Sequence, residues 1–299
     1  MSDFNHLDAN RSAYDAMVRR GDRLCQIVSD AELADPLGTV DAAGWLGPSI
    51  AGRRVLCLAG GGGRQSVLYA AAGADVTVVD LSPAMLELDR QSAAARGHRV
   101  RLFEASMENL AMLKSGEFDI VIHPVSTCYV PDIRPVFAEV ARVTVAGGIY
   151  VSQHKTPESL QSSIHRGVDG CYRWVHDAYD RRPVQTPETT PTAGRLRERG
   201  ASEFVHRWET IVGGICRAGF AVEDLIQIDH RRPKTDGPTA DRSIREEPAS
   251  RGTLAARGTF AARDTFAARD TFADRAAVIP PYVRIKARRY GSPAGLVLA

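Results

Sequence analysis

Four consecutive glycines, Gly60-Gly61-Gly62-Gly63, follow the apolar run Val55-Leu56-Cys57-Leu58-Ala59, and a second apolar run ends at Asp80. Such a pairing suits a ligand that carries a ribose. A glycine run lets the backbone turn sharply and admits a ligand that a Cβ would keep out. Amides at the start of the next helix can receive the ligand's polar groups. An acidic side chain about 20 residues on can accept hydrogen bonds from ribose hydroxyls. The dinucleotide fingerprint Gly-x-Gly-x-x-Gly/Ala is a weak fit. Counting from Gly60 its sixth position is Gln65, and counting from Gly61 it is Ser66. A nicotinamide-dependent dehydrogenase is therefore disfavoured.

Several segments together resemble the class I S-adenosylmethionine-dependent methyltransferase family. Its first strand and loop read approximately Val-Leu-Asp-Leu-Gly-Cys-Gly-Thr-Gly, beside Val55 to Gly63 here. The segment Val79-Asp80-Leu81-Ser82-Pro83-Ala84-Met85-Leu86 closely matches the family's second motif. The stretch from Arg101 to Leu110 is similar to the third strand and the loop that packs on adenine. Glu117 to Ile122, Val140 to Val151 and Ile215 to Glu223 follow in the family's order. The resemblance implies S-adenosyl-L-methionine as cofactor, contacted by Ala59, Gly60, Gly61, Gly63, Asp80, Leu81, Met85, Ser106, Met107 and His123. Gln65, in the first turn of the following helix, is either a further polar contact or a solvated residue. The family's strand aspartate is Cys57 here, its first loop glycine is Ala59, and its adenine-loop aspartate is Ser106. These departures weaken the expected grip on the cofactor, and Ala59 fits only with a negative φ. A cofactor-binding pseudoenzyme, or an S-adenosylmethionine enzyme of other chemistry, is the alternative.

Methyl transfer from a sulfonium is an in-line displacement, so positioning supplies much of the rate. A base is needed only where the acceptor loses a proton. Ligands sit at the carboxyl ends of such sheets, where His123 and His154 are expected. Either serves as a general base or as a hydrogen-bonded structural histidine. Tyr14 resembles the tyrosine with which many small-molecule members close over the cofactor; a core-facing position is the other reading. Tyr129, Tyr172, Trp174, His206 and Trp208 are candidates for an aromatic acceptor pocket, with ordinary packing the default for His206 and Trp208 on an expected helix at Glu203–Ala218.

The elements that must position these groups follow from periodicity. Strands are predicted at Val55–Leu58, Ala74–Val79, Val100–Phe103, Phe118–His123, Gly148–Gln153, Phe220–Ile228 and Tyr282–Ala287. Helices begin near Arg64, Ser82 and Asp132, and residues 8–34 read as helical. The fold class is α/β, a seven-stranded mainly parallel sheet with helices on both faces. Four regions are expected: a helical lid at 1–50, a cofactor half at 51–153, a substrate-lid insertion at 154–202 and a second half at 203–299. Within the last, 230–279 reads as a low-complexity loop carrying a six-residue repeat, Arg-Asp-Thr-Phe-Ala-Ala and variants, over 251–275.

Composition narrows the partners. Of 299 residues 44% are hydrophobic, and 38 basic against 36 acidic residues leave a formal charge of +2. That balance, with no basic stripe, argues against a nucleic-acid footprint. No Asp/Asn-Pro-Pro-Tyr follows the fourth strand either; His123-Pro124-Val125-Ser126 stands there. Five scattered cysteines without paired spacing predict neither a metal site nor a disulfide framework. The amino terminus has no signal-like pattern and no run spans a membrane, so a cytoplasmic protein is expected. The partner is a small-molecule methyl acceptor, with a homodimer compatible. A lid and a long idiosyncratic loop look like specialised metabolism, by analogy alone.

Overall fold

The computed structural model describes residues 5–22, 25–185, 196–198, 200–227 and 272–291. Helix α1, His6–Arg20, is capped by Asn5 and closed by Gly21 in the left-handed conformation. The single helical stretch expected over 8–34 therefore stops early. Two short helices follow, α2 at Asp30–Leu33 behind a Ser29/Glu32 capping box and α3 at Pro36–Val40. The α/β alternation then runs through β1 (Arg54–Leu58), α4 (Gln65–Ala71), β2 (Asp75–Asp80), α5 (Pro83–Ala95), β3 (Arg101–Glu104) and β4 (Phe118–His123). Helix α6 (Arg134–Val143) leads directly into β5 (Thr144–Lys155) and α7 (Pro157–Gln161). Two short strands, β6 (Val184–Gln185) and β7 (Ser202–Glu203), pair with each other. Then come α8 (Trp208–Arg217), β8 (Phe220–Gln227), α9 (Phe272–Val278) and β9 (Tyr282–Arg289).

The seven-stranded sheet has the order β3-β2-β1-β4-β5-β9-β8. Neighbours from β3 to β5 are parallel, and β9 lies antiparallel between β5 and β8. The chain leaves β1 toward one edge and returns at β4 toward the other, so the loops after β1 and β4 part at a crevice. Residues alternate between two cores. Leu56, Leu58, Val121 and Tyr150 pack with Phe137 of α6 and Ile211 of α8. Val55, Cys57, Val78 and Ile122 pack on the other face with Tyr69 of α4 and Leu86 of α5. Each large aliphatic side chain sealed there stabilises the fold by about 1.5–3 kcal/mol, which makes the strand ends a rigid mount for the loops.

Two expectations change. The helix predicted at Glu203–Ala218 begins only at Trp208, because Ser202 and Glu203 pair with β6 and Phe204 N–H donates to Cys128 C=O at 2.6 Å. The expected low-complexity loop at 230–279 ends in helix α9, whose buried Arg275 donates to Ser159 and Ser163 carbonyls at 3.0 and 3.2 Å. Nearly all of the 251–275 repeat lies outside the described residues.

Candidate active site

The loop after β1 is held from three sides. Ala59 N–H donates to Val79 C=O at 2.7 Å, and Gly62 N–H reaches Met85 C=O at 3.3 Å. Gly61 N–H donates to Asp80 Oδ2 at 2.9 Å, while Ser82 N–H takes Oδ1 at 2.9 Å. Burial pushes the Asp80 carboxyl pKa up, and the amides of Ser82 and Gly61 oppose that push. Ser82 Oγ caps α5 through Met85 N–H at 3.1 Å and donates to Asp15 of α1 at 2.5 Å.

Ala59 corrects one expectation: its φ is +48°, and it alone among described non-glycine residues is positive. The left-handed region costs an L-residue about 1–2 kcal/mol. The backbone bond to Val79 and packing against the sheet core hold it there.

A cleft with about 560 Å³ of empty space, part of it open to solvent, lies over these strand ends. Its floor is Ala59, Asp80, Leu81, Ser106 and Met107; Tyr14 of α1 and Tyr129 form its roof and far wall. The two tyrosines meet edge to face, with centroids 5.6 Å apart. Asn10 fastens α1 on the far side, donating to Tyr129 C=O at 3.0 Å and accepting from Ser202 N–H at 2.8 Å. Ser106 Oγ donates to Glu108 Oε2 at 3.2 Å.

A second group of expected residues gathers beside this cleft. A Cβ built on Gly60 would lie 3.4 Å from Gln65 Oε1 and 3.5 Å from Pro124 Cγ. Gln65 Oε1 is buried without a hydrogen-bond partner, and so is His123 Nε2. Gln65 is thus not the solvated helix residue that was its alternative. A Cβ on Gly61 would come within 2.8 Å of Met85 Cβ and 2.9 Å of Asp80 Oδ2, so Met85 backs the loop. Gly63 differs from the expectation for it. It turns to α5, where a Cβ would meet Ser92 Oγ at 2.5 Å and Leu88 C=O at 2.8 Å.

The histidine bases fare less well. His154 is fully buried, with Nδ1 on Thr127 Oγ1 and Nε2 on Ser152 Oγ, both at 2.8 Å. Burial first, then His123 and His206, hold its pKa well below the usual value. With both nitrogens engaged beneath the surface, His154 is a structural histidine. His123 Nδ1 contacts Tyr150 Oη at 2.8 Å, and burial pulls its pKa down to about 3. A neutral imidazole with a free nitrogen remains a polar contact but not a base near neutral pH.

The aromatic pocket is also redistributed. Tyr129 lines the cleft, whereas Tyr172 and Trp174 border a separate surface pocket beside Arg166 and Arg173. His206 precedes α8 and contacts the carbonyls of Thr127 and Val130 at 3.1 and 2.9 Å. Trp208 donates to Glu158 at 2.8 Å.

Two features escaped the sequence reading. Asp89 is fully buried on α5 and accepts from Gly62 N–H at 3.0 Å, Gly63 N–H at 3.1 Å and the Ser66 hydroxyl. Its spacing from Met85 and Ser92, both buried on α5, is the helical signal that would have found it. The other is a buried ionic group at the end of β5. Lys155 Nζ contacts Glu203 and, at 2.7 Å, Glu198, to which Tyr129 Oη donates at 2.6 Å. Burial disfavours the Glu198 charge, but Lys155 outweighs it and keeps that carboxyl below its usual range. Among the described residues no group of acids, histidines and cysteines could hold a metal ion, and no helix is long and apolar enough to cross a membrane.

A family model for the methyltransferase domain matches residues 56–152. The uncharacterized methyltransferase YbaJ of Bacillus subtilis is 35% identical over 183 residues, 60% of this chain and 70% of that protein. The ubiquinone biosynthesis O-methyltransferase of Aromatoleum aromaticum is 40% identical over 99 residues, 33% of this chain and 42% of that protein. The chain thus spans less than half of that second relative. Among solved structures, an S-adenosylmethionine-dependent methyltransferase from Mesorhizobium loti superposes with TM-score 0.55 at 20% identity, covering 86% of this chain and all of that one. Geranyl diphosphate C-methyltransferase from Streptomyces coelicolor superposes with TM-score 0.57 at 14% identity, over 97% of this chain and 100% of that chain. At such identities the superpositions establish the fold.

Proposed function

The chain belongs to the class I S-adenosylmethionine-dependent methyltransferases, and we propose that it methylates an O, N or C atom of a small molecule of specialised metabolism. The observation that carries this reading is the roofed cleft. Helix α1 crosses the strand ends and is tied down on both sides, through Asp15 to Ser82 and through Asn10 to Tyr129 and Ser202. Such a roof suits an acceptor small enough to enter a pocket better than a duplex or a folded protein surface. The ubiquinone and geranyl diphosphate enzymes among the relatives, both named for small molecules, point the same way.

The residues present fit the cofactor on two counts: the buried unpartnered atoms Gln65 Oε1 and His123 Nε2. S-adenosylmethionine supplies an electrophilic methyl group on a sulfonium. In this reading Asp80 accepts from the ribose hydroxyls, in place of or alongside the amides it now holds. Ser106, Met107 and Leu81, which line the same cleft, would hold the adenine. Ala59, Gly60 and Gly61 give the methionine end close approach to backbone, and Gln65 Oε1 and His123 Nε2 meet its polar groups. Tyr14 closes the cleft and excludes water. No histidine base is invoked, because both candidates are held neutral by burial.

The test is unbiased labelling. The enzyme is incubated with methyl-labelled S-adenosylmethionine and a cell extract divided by ultrafiltration. Label in the low-molecular-weight fraction is expected. Label confined to the nucleic acid or protein fraction would overturn the small-molecule reading.

A further inference from the structure

The family pattern that β1 resembles carries an aspartate where this chain has Cys57. That cysteine is fully buried on the face of β1 covered by α4 and α5. The sequence alone suggests a glycine loop that has lost its carboxylate. The structure has one there nonetheless. Asp89 projects from α5 onto the same face, and its two oxygens take the N–H groups of Gly62 and Gly63 and the Ser66 hydroxyl. Gly62 and Gly63 lie in the β1–α4 connection and Ser66 in the first turn of α4, while the carboxylate comes from the following βα unit. Burial first, and then the Asp89 charge, raise the Cys57 thiol pKa, as expected of neighbouring side chains.

A run of glycines has no side chains with which to choose its own conformation. Gly62 and Gly63 sit at φ +114° and +81°, one of many states open to them. Two buried N–H groups aimed at a common point select that state only if an acceptor waits there. We propose that Asp89 is the positioning residue of the cofactor loop, a carboxylate relocated from β1 to α5, and that it holds the glycine run in the shape that receives S-adenosylmethionine. The inference rests on family membership and on no particular acceptor, so its failure leaves the small-molecule reading untouched.

Three variants test it: Asp89→Asn, Asp89→Ala and the double variant Asp89→Ala/Cys57→Asp. Calorimetric titration with S-adenosylhomocysteine gives the affinity, and amide hydrogen exchange over residues 58–68 of the ligand-free protein gives loop order. Asp89→Ala removes the acceptor of two backbone donors and is expected to weaken binding about 30-fold. Exchange at Gly62 and Gly63 should quicken about tenfold or more while amides of β4 and β5 keep their protection. Asp89→Asn keeps one acceptor oxygen, so its loss should be several-fold smaller. The double variant should recover most of the affinity, because a carboxylate on β1 again faces the loop. Should Asp89→Ala not fold, recovery of folding in the double variant is itself the expected rescue. Wild-type affinity and wild-type loop exchange in Asp89→Asn and any folded Asp89→Ala protein would overturn the positioning role. A double variant no better than Asp89→Ala would overturn the relocation.

Discussion

Replacing Gly61 by alanine sets the cofactor cradle against its own scaffold. The new Cβ would lie 2.8 Å from Met85 Cβ and 2.9 Å from Asp80 Oδ2, well inside contact distance. Gly61 is not among the residues with positive φ, so the cost is steric and not conformational. Met85 Cβ cannot swing aside, since it is fixed to the first turn of α5 where Ser82 caps the Met85 N–H. Asp80 is the softer neighbour. Turning it away breaks the 2.9 Å bond from Gly61 N–H and strains the one from Ser82 N–H. A hydrogen bond to a charged group contributes about 1.5–3 kcal/mol, so stability should fall by about that amount. A similar loss in the bound state weakens S-adenosylhomocysteine about 10- to 100-fold. Gly60→Ala is the control: its Cβ would meet Gln65 Oε1, Cys57 Cβ and Pro124 Cγ at 3.4–3.5 Å, ordinary contacts. It should leave stability within about 0.5 kcal/mol and still weaken the ligand by filling the corner beside Gln65. Urea denaturation and calorimetric titration read the two effects separately. A Gly61→Ala protein with wild-type midpoint and affinity would refute the reasoning, as would equal destabilisation by Gly60→Ala.

Ala59, at φ +48°, should tolerate glycine with a stability change of about 1 kcal/mol or less, since relief of the left-handed strain is offset by a freer unfolded chain. Ala59→Val should lose about 2 kcal/mol or more in urea denaturation. His154→Gln should lower the melting temperature without moving any inflection of kcat/KM between pH 5 and 8, because burial keeps the wild-type ring neutral there; a lost inflection with unchanged stability would restore it as a base. The Asp89 carboxyl is raised, chiefly by burial, from 3.8 to about 7 in the folded protein. Its contribution to stability is complete below about pH 4 and disappears as pH rises through about 7. The ligand-free protein should therefore be about 2 kcal/mol more stable at pH 5.5 than at pH 7.5 through this group. Glu203, also raised by burial, acts in the same sense, so the difference between wild type and Asp89→Asn isolates the share of Asp89.

All seven long strands were legible, six of them within a few residues, because β1, β2 and β4 read as the apolar runs of a buried parallel sheet and β9 alternates buried with half-buried residues. The exception is β5, which starts at Thr144 and not Gly148, since its register on β4 shifts between Phe118 and Ile120. Asp80 and Tyr14 line the cleft at the strand ends, and Gln65 lies beside Gly60. What escaped was direction. His123 and His154 do end their strands, but period two puts both on the face of Tyr150, where His154 lies against Phe137 of α6 with both nitrogens engaged and His123 keeps one nitrogen free. Glu203 looked helical in a window that tertiary pairing with Val184 of β6 overrides. Asp89 was passed over because an acid on an amphipathic helix ordinarily faces water, and only its three donors explain its burial.

The lost acids of the family motifs change meaning in this light. Cys57 and Ser106 each stand where an aspartate is usual, and in sequence terms that subtracts two carboxylates from the cofactor site. In three dimensions the subtraction is incomplete. Asp89 reaches the glycine loop from α5, and Glu108 Oε2 lies 3.2 Å from Ser106 Oγ beside the strand that ends at Glu104. A motif scores an acid at a position, whereas binding depends on an oxygen at a point in space. Points of that kind can be reached from a neighbouring helix, or from two residues along a loop, without moving the backbone that forms the cleft. Asp80 itself is unchanged, and its one carboxylate accepts from both Gly61 N–H and Ser82 N–H at the end of β2.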